Sequence, residues 1–528
     1  MSDRDLSAFV DDTIDAPRRR TLRRLAGFAA LPLLPACLPG CGGDTGVARG
    51  YRDVSIDASA PGAPIRSLRG VNGPPLPGVQ ASGHIPSGTT AVKPIFNPRC
   101  LDLRDAYRKM GIDFVRTHDV DAFGTGDLDG SAPNRMFPEL GADPTDPASY
   151  RFQAMDRVMA GVADCGATPF FRLGRSDRSM IAQIGNGGPP ADMDRFAEAA
   201  AYVVRHYNQG WANGRRDDVR YWEIWNEPDI RPWFWTGDTD QYFQLYAKVA
   251  RSLQRVDPTL RIGGPSSVVN SNAFGLERDF LDFVRRERLP LDFYSMHWYP
   301  VFDDPFDLVR IARKFRTLLD QHGFGATELH LNEWNYALRS HTTEARHAAF
   351  VAVSLMLLQD APVDRAAMYA RTMPLIHDDG ELTAAGQVFV ALAGFDGMHR
   401  LSMSGGDDEG FAVLGGLSPD ARRARVLIAN YEIDADHLGP LPNGNDIEVL
   451  PDVVLTVPDR RTITYRNNAG YRLSLDGLRW PRGARVSRHR IDEQRRLERV
   501  ETIDVAPGQR LERAMPPSTV ELLLAEAL

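Results

Sequence analysis

Cysteine is scarce, with four in 528 residues. No Cys/His spacing resembles a zinc site, so a structural metal knuckle is excluded and no metal or cofactor is expected. There is no basic excess either: 62 Lys and Arg stand against 70 Asp and Glu, for a net charge of −8. Nothing is left over to neutralise phosphates, which argues against a nucleic-acid partner. The chain lacks a Gly-x-Ser-x-Gly elbow, so a serine hydrolase of that type is excluded. No Walker lysine follows Gly263-Gly264-Pro265-Ser266-Ser267, which removes a phosphate-binding loop. No repeat of solenoid length is visible beyond a strand and helix alternation. What the chain does have is 43% hydrophobic residues over a length that suits two domains, one of them large.

The N-terminus reads as a targeting segment over residues 1–41 and is set apart from the fold. Arg18-Arg19-Arg20-Thr21-Leu22-Arg23-Arg24 precedes an apolar stretch, Leu25 to Ala36. That stretch is too short for a bilayer, which needs ~20 residues. Paired arginines in this position resemble a twin-arginine export signal. Leu34-Pro35-Ala36-Cys37 and Leu38-Pro39-Gly40-Cys41 both resemble a bacterial lipobox, and the flexible Gly42-Gly43-Asp44-Thr45-Gly46 favours Cys41 as the acylated residue. A signal cut without lipidation is the alternative. Either way the expectation is an exported protein, periplasmic or envelope-anchored, touching the membrane only through that lipid, with a tether and extension at 42–64. Outside the signal, Cys100 and Cys165 remain open to pairing.

Between Ser67 and His399 short β-like runs alternate with amphipathic helices. The strand candidates are Ser67–Val71, Ile112–Thr117, Thr168–Leu173, Val219–Trp225, Arg261–Gly264, Leu291–His297, Glu328–Asn332 and Ala366–Ala370. Phe243, Tyr246, Val249, Ala250 and Leu253 share one helical face, as do Leu308, Ile311, Ala312, Phe315 and Leu319. His347 to Leu358 is apolar almost all round, as in a helix buried on most sides. This pattern predicts a closed (β/α)₈ TIM barrel over 65–399, with its active site at the C-terminal ends of the strands. From 400 to 528 the pattern changes to strands parted by Gly, Pro, Asn and Asp turns: Phe411–Leu414, Arg425–Asn430, Thr462–Tyr465, Ala484–His489 and Thr519–Leu524. That predicts an antiparallel β-sandwich.

Two similar frames carry the chemistry: Tyr221-Trp222-Glu223-Ile224-Trp225-Asn226-Glu227-Pro228 and Glu328-Leu329-His330-Leu331-Asn332-Glu333-Trp334-Asn335. Each is a β-prone run ending in Asn-Glu. Pro228 biases Glu227 towards an extended backbone, so the strand is expected to stop there and leave the carboxylate at the barrel mouth. An isolated Asn-Glu-Pro is ordinarily a capping turn; the second frame gives it catalytic meaning. Two carboxyl groups delivered to one pocket are what glycosidic bond cleavage requires.

The series of motifs resembles glycoside hydrolase family 39, the group of β-xylosidases and α-L-iduronidases within a clan of retaining barrel enzymes. The matching stretches are Phe114-Val115-Arg116-Thr117-His118, Trp222 to Pro228, Arg261 to Pro265, Asp292 to Pro300 and Leu331-Asn332-Glu333-Trp334-Asn335. The resemblance implies a carbohydrate substrate, Glu227 as acid/base and Glu333 as nucleophile. It also implies that Asn226 bonds the sugar 2-hydroxyl, that Tyr299 donates to Glu333, and that His118 and His297 contact the glycon or support the nucleophile. Trp225, Trp233, Trp235, Trp298 and Trp334 offer faces for sugar stacking, while Trp222 reads as packing.

Two departures bear on specificity. Arg172 stands on strand three, followed by Arg175, where the xylosidase-like members tend to carry an acidic residue, and strand eight, Met368-Tyr369-Ala370-Arg371, lacks an expected acidic, Trp-containing segment. Arginines near a sugar can hold a uronic carboxylate in a bidentate fork, or pair with protein carboxylates. The glycon is therefore expected to be pentose-type or uronic. Transglycosylation through the same intermediate, and a polysaccharide-binding barrel without catalysis, are the alternatives.

Overall fold

In the computed structural model of the protein the described residues are 50–60, 62–76, 78, 97, 101–118, 136–174, 189–231, 234–268, 275–300, 303–336, 342–370, 374–433, 446–450, 453–456 and 468–528. The expectations for Cys37, Cys41, Cys100, Arg175, Trp233, Arg371 and Thr462–Tyr465 fall outside them. Among the described residues no helix is long and apolar enough to cross a membrane.

The described chain begins with β1 (Gly50–Asp57) and then builds a closed barrel of eight parallel strands. These are β2 (Gly70–Asn72), β3 (Phe114–Arg116), β4 (Thr168–Leu173), β5 (Tyr221–Ile224), β6 (Arg261–Val268), β7 (Phe293–Trp298), β8 (Glu328–Trp334) and β9 (Arg365–Met368). All eight expected strands are present, several shorter than read. Alternation along each strand sorts the interior into layers. Phe114, Phe170, Phe293 and Ala367 form an apolar plug, with Tyr221 packed against it. Two residues further along the same inward faces stand Arg116, Arg172, Glu223 and Ser295, all wholly buried. A polar layer thus caps an apolar one just below the strand ends.

The helices follow their sequence periodicity. Helix Thr239–Val256 opens on a reciprocal capping box between Asp238 and Gln241 and buries Phe243, Tyr246, Val249, Ala250 and Leu253. Helix Glu344–Leu357 is buried over His347–Met356. It needs apolar residues all round because it contacts the neighbouring helix Ala384–Ala393 on one side and strands of the second sheet on the other.

That second sheet contains β10 (His399–Ser404), β11 (Phe411–Leu417), β12 (Arg423–Asn430), β15 (Asn468–Ser474), β16 (Ala484–Ile491), β17 (Arg496–Val505), β18 (Arg510–Ala514) and β19 (Thr519–Ala527). A separate hairpin, β13 (Asp446–Leu450) with β14 (Val453–Thr456), lies between β12 and β15 in the chain. The ninth strand is β1, inside the stretch read from sequence as tether and extension; it lies between β10 and β15. The sheet turns across β10, whose His399–Leu401 pairs with β11 and whose Ser402–Ser404 pairs with β1. Its two leaves enclose Val54, Ile56, Phe411, Val426, Tyr471, Leu473, Val486 and Leu523, a sandwich-like core. The pairing is antiparallel throughout except for β1 on β15, which is parallel. A parallel pair needs a long crossover, and here the barrel together with β10 to β14 makes up that crossover. Cys165 is a free, buried thiol among the described residues.

Candidate active site

Two bulges build the site. On β6, Pro265 pairs with Ser295 and Ser267 with Met296, leaving Ser266 as the extra residue with φ +62. On β8, Leu331 pairs with Met296 and Glu333 with His297, leaving Asn332 extra. Bulges re-aim side chains. The first turns Ser266 inward; the second brings Glu333 beside His297 and sends the Asn332 amide onto the Glu223 carboxylate.

Glu227 corrects one expectation. The strand ends at Ile224, and Glu227 has φ +46, so it is left-handed and not extended. Trp225 is left-handed as well, with φ +74. The local bias of a residue before proline is overridden by a turn that Glu227 anchors at both ends. Its N–H donates to the Ser266 carbonyl at 3.0 Å and its own carbonyl accepts from Ile230 at 3.1 Å. Backbone strain of this kind gathers where structure fixes a functional side chain.

Arg116 is the hub. Its Nε donates to Glu223 Oε2 at 2.7 Å, Nη1 to Asn72 at 3.0 Å and to Glu333 Oε1 at 2.8 Å, and Nη2 to Asn226 Oδ1 at 2.6 Å and Ser266 Oγ at 2.8 Å. All five N–H groups of the guanidinium are therefore engaged. Burial by itself would lower its pKa, but the Glu223 and Glu333 carboxylates outweigh that and raise it.

Glu333 also accepts from Tyr299 Oη at 3.0 Å on Oε2, and His118 Nε2 lies 2.8 Å from its Oε1. Burial pushes the Tyr299 hydroxyl well up, which keeps it a donor. Burial pushes the Glu333 carboxyl up too, yet His297, His118 and Arg116 together hold it well below the usual carboxylate range. His297 is itself pushed down to about 3 by burial, so it is neutral and the permanent charge in that set is Arg116. Its Nδ1 lies 2.7 Å from Glu227 Oε1 and 3.5 Å from Glu333 Oε2, and its Nε2 2.8 Å from Ser266 Oγ. One donor atom each of Glu227, His297 and Glu333 lie within 4.8 Å of one another. A guanidinium already supplies the positive charge beside them, so the arrangement is a hydrogen-bonded network and does not fit a cation site.

The structure brings Glu227, Glu333, Asn226, His118, His297 and Tyr299 together, as the motifs lead one to expect. It does not do the same for the tryptophans. Trp235 and Trp334 are 0% exposed, and Trp225 and Trp298 are nearly so, which overturns their reading as open stacking faces. Trp235 packs edge-on against Trp225 and Tyr242 and donates its N–H to the Asp238 carbonyl. Arg172 is likewise corrected: it sits in the buried polar layer, 0% exposed, with its backbone N–H on Thr117 Oγ1. Sequence reasoning missed Arg116, Glu223 and Ser266. The signal for Arg116 was available, two residues before His118 in the strand-two motif.

Residues 97–361 match the model of Glycosyl hydrolases family 39. A β-xylosidase of Geobacillus stearothermophilus is 26% identical over 279 residues, covering 47% of this chain and 52% of that protein. A β-xylosidase of Caldicellulosiruptor saccharolyticus is 29% identical over 161 residues, or 29% of this chain and 32% of that one. The chain thus spans about half the length, or less, of these curated relatives. Among solved structures, a glucosidase from Croceicoccus marinus superposes with a TM-score of 0.76 at 29% identity, covering 90% of this chain and 99% of the other. The family 39 enzyme of Xanthomonas axonopodis pv. citri, at 18% identity and a TM-score of 0.61 over 90% and 98%, shares the fold. The matched span runs through β3 to β8, the strands that carry both Asn-Glu frames, and it makes the chain a member of glycosyl hydrolase family 39.

Proposed function

We propose that the protein hydrolyses glycosides with retention, Glu227 acting as acid/base and Glu333 as nucleophile. The observation that carries this reading is the approach of the two carboxylates, with one oxygen of each within 4.8 Å of the other. Retaining enzymes hold their carboxyl groups ~5–5.5 Å apart and inverting ones ~6.5–9.5 Å. The electrostatics support the division of roles. Glu333, ionised beside a guanidinium and a phenol, attacks the anomeric carbon while Glu227 protonates the departing oxygen. Glu227 then takes a proton from the water that releases the sugar. Asn226 accepts from Arg116 through Oδ1, which turns its NH₂ away from the guanidinium and towards the sugar 2-hydroxyl.

The glycon is neutral in this proposal. Arg116 has no N–H left for a sugar carboxylate and Arg172 is enclosed; Arg175 and Arg371 lie outside the described residues, and the uronide assay below tests them. The β-xylosidase and glucosidase names of the relatives agree with a neutral sugar. Aryl xylosides, glucosides, arabinofuranosides and uronides assayed side by side test this, and cleavage of the uronide alone would sink it. Glu333→Ala is expected to abolish turnover, with azide restoring it and inverting the product; Glu227→Ala is expected to keep activity on substrates with good leaving groups. Wild-type activity in both variants would refute the assignment. Products analysed with an added sugar acceptor separate hydrolysis from transglycosylation. Export and acylation of Cys41 belong to the same proposal, and loss of lipid labelling in Cys41→Ala checks them.

A further inference from the structure

We infer that Ser266 is a positioning residue that fixes the tautomer of His297, so that Nδ1 carries the hydrogen and donates to Glu227 Oε1. The inference deepens the proposed function and rests on it for its kinetic consequence only.

The wiring follows from counting donors. Arg116 Nη2 donates to Ser266 Oγ at 2.8 Å, so the serine oxygen accepts there and its single O–H must point elsewhere. Two acceptors compete for it: His297 Nε2 at 2.8 Å and Asn226 Oδ1 at 3.5 Å, the latter already occupied by Arg116 at 2.6 Å. The shorter and emptier partner wins, so Nε2 is an acceptor. A neutral imidazole then has its hydrogen on Nδ1.

The other end of the ring favours the same answer. Nδ1 faces Glu227 Oε1 at 2.7 Å and Glu333 Oε2 at 3.5 Å. A bare lone pair there would face the ionised Glu333 oxygen and be repelled, whereas an N–H is attracted to it and also donates to Glu227 Oε1, whose proton sits on the other oxygen. Among the described residues, the charged and titratable groups around the pair include Glu227, Glu333, Arg116, Glu223, His118 and Tyr299, with Asp229 adding its field to Glu227. The strained φ of +62 at the β6 bulge is what aims the hydroxyl at the ring.

The functional consequence is a choice of oxygen on the acid/base. With Oε1 accepting from Nδ1–H, the proton that Glu227 gives to the leaving group resides on Oε2. No proton is gained or lost in setting this up, since the relay only orients one. It also ties the two carboxyl groups together, because the guanidinium that holds Glu333 is the one that orients Ser266.

The direct test is ¹⁵N NMR of histidine-labelled full-length protein near neutral pH, with His297→Gln used to assign the resonance. The expected spectrum has a protonated Nδ1 and an unprotonated Nε2. A protonated Nε2, or two protonated nitrogens, overturns the inference. In Ser266→Ala the Nε2 partner is gone and the ring is free to exchange tautomers, so an Nε2–H signal is expected to grow in. Glycine suits the left-handed backbone, so Ser266→Gly gives a second variant without the hydroxyl if alanine folds poorly. In either variant Nδ1 can accept from the Glu227 acid, so the basic limb of kcat/KM is expected to move up by about one pH unit. A limb that stays in place while the tautomer changes overturns the link to Glu227. Inactivity of the wild type on every glycoside would defeat the proposed function and leave the tautomer measurement standing.

Discussion

Replacing Arg116 by lysine asks how much of the site rests on the shape of one cation and how much on its charge. The guanidinium spends five N–H groups on five acceptors, two of them the Glu223 and Glu333 carboxylates. An ammonium has three donors that radiate from a single nitrogen, so at least two acceptors lose their partner in a region with almost no access to water. A hydrogen bond to a buried charged group is worth about 1.5–3 kcal/mol, which puts the loss at about 3–6 kcal/mol. For a large domain that corresponds to a fall in Tm of about 6–12 °C, at ~2 °C per kcal/mol. Asn226 and Ser266 lose their anchor as well, and if about 3 kcal/mol of the deficit is felt in the transition state, kcat/KM drops about 100-fold. Thermal unfolding and steady-state kinetics on an aryl glycoside, run on the same preparation, read both quantities. Arg116→Lys with a Tm within a degree of wild type and kcat/KM within twofold would show that charge alone suffices and that the fork geometry has no role.

Tyr299→Phe removes one donor from Glu333, so kcat is expected to fall about 10- to 100-fold and the acid limb of the pH profile to move upward. Glu333 has a folded pKa below its unfolded value, so the stability it contributes is present above about pH 4.3 and is lost as pH falls towards the folded pKa; a Tm that stays level on acidification would contradict this. Glu277, wholly buried, has its carboxyl pushed up to about 7 by burial. Its sign is the reverse: stability is expected to fall by about 3 kcal/mol as pH rises from ~4.5 to ~7, and Glu277→Gln to flatten that slope. An identical slope in the variant would place the titration elsewhere. Trp235→Ala is expected to cost about 3–5 kcal/mol of stability with KM unchanged in the folded fraction, whereas a raised KM at unchanged Tm would restore it to the sugar site.

The barrel is legible in the chain because its strands are short, regularly spaced and separated by helices with a clear apolar face. The two Asn-Glu frames and the His-Trp-Tyr segment at the end of β7 likewise announce themselves, since residue types and order are enough. What stays hidden depends on parity. Ser266 and Asn332 are extra residues on their strands, and a one-residue bulge exchanges inward for outward beyond it without leaving a mark in the alternation. Arg172 and Arg116 are equivalent in sequence terms, both arginines at strand ends. Only the partners met across the barrel distinguish a hub from a residue of the enclosed layer. The tryptophans mislead for a related reason: aromatic residues near a cleft serve sugar contact or packing equally well, and 0% exposure at Trp235 and Trp334 decides it. The strand β1 escapes notice because its partners lie hundreds of residues away.

That distance sets an order of events during synthesis. β1 leaves the ribosome before any strand it will pair with, and β10 and β15 follow only after the whole barrel has been made. At ~5–20 residues per second the wait is about 20 seconds or longer. Throughout it the segment exposes unpaired backbone on both edges, a template for unwanted pairing. Its outward residues include Asp53 and Asp57, charges that discourage such contacts. The same geometry makes residue 65 a poor place to begin a shortened chain: the barrel would be intact, but β10 and β15 would face each other across an empty slot, and aggregation of the second sheet is the expected outcome.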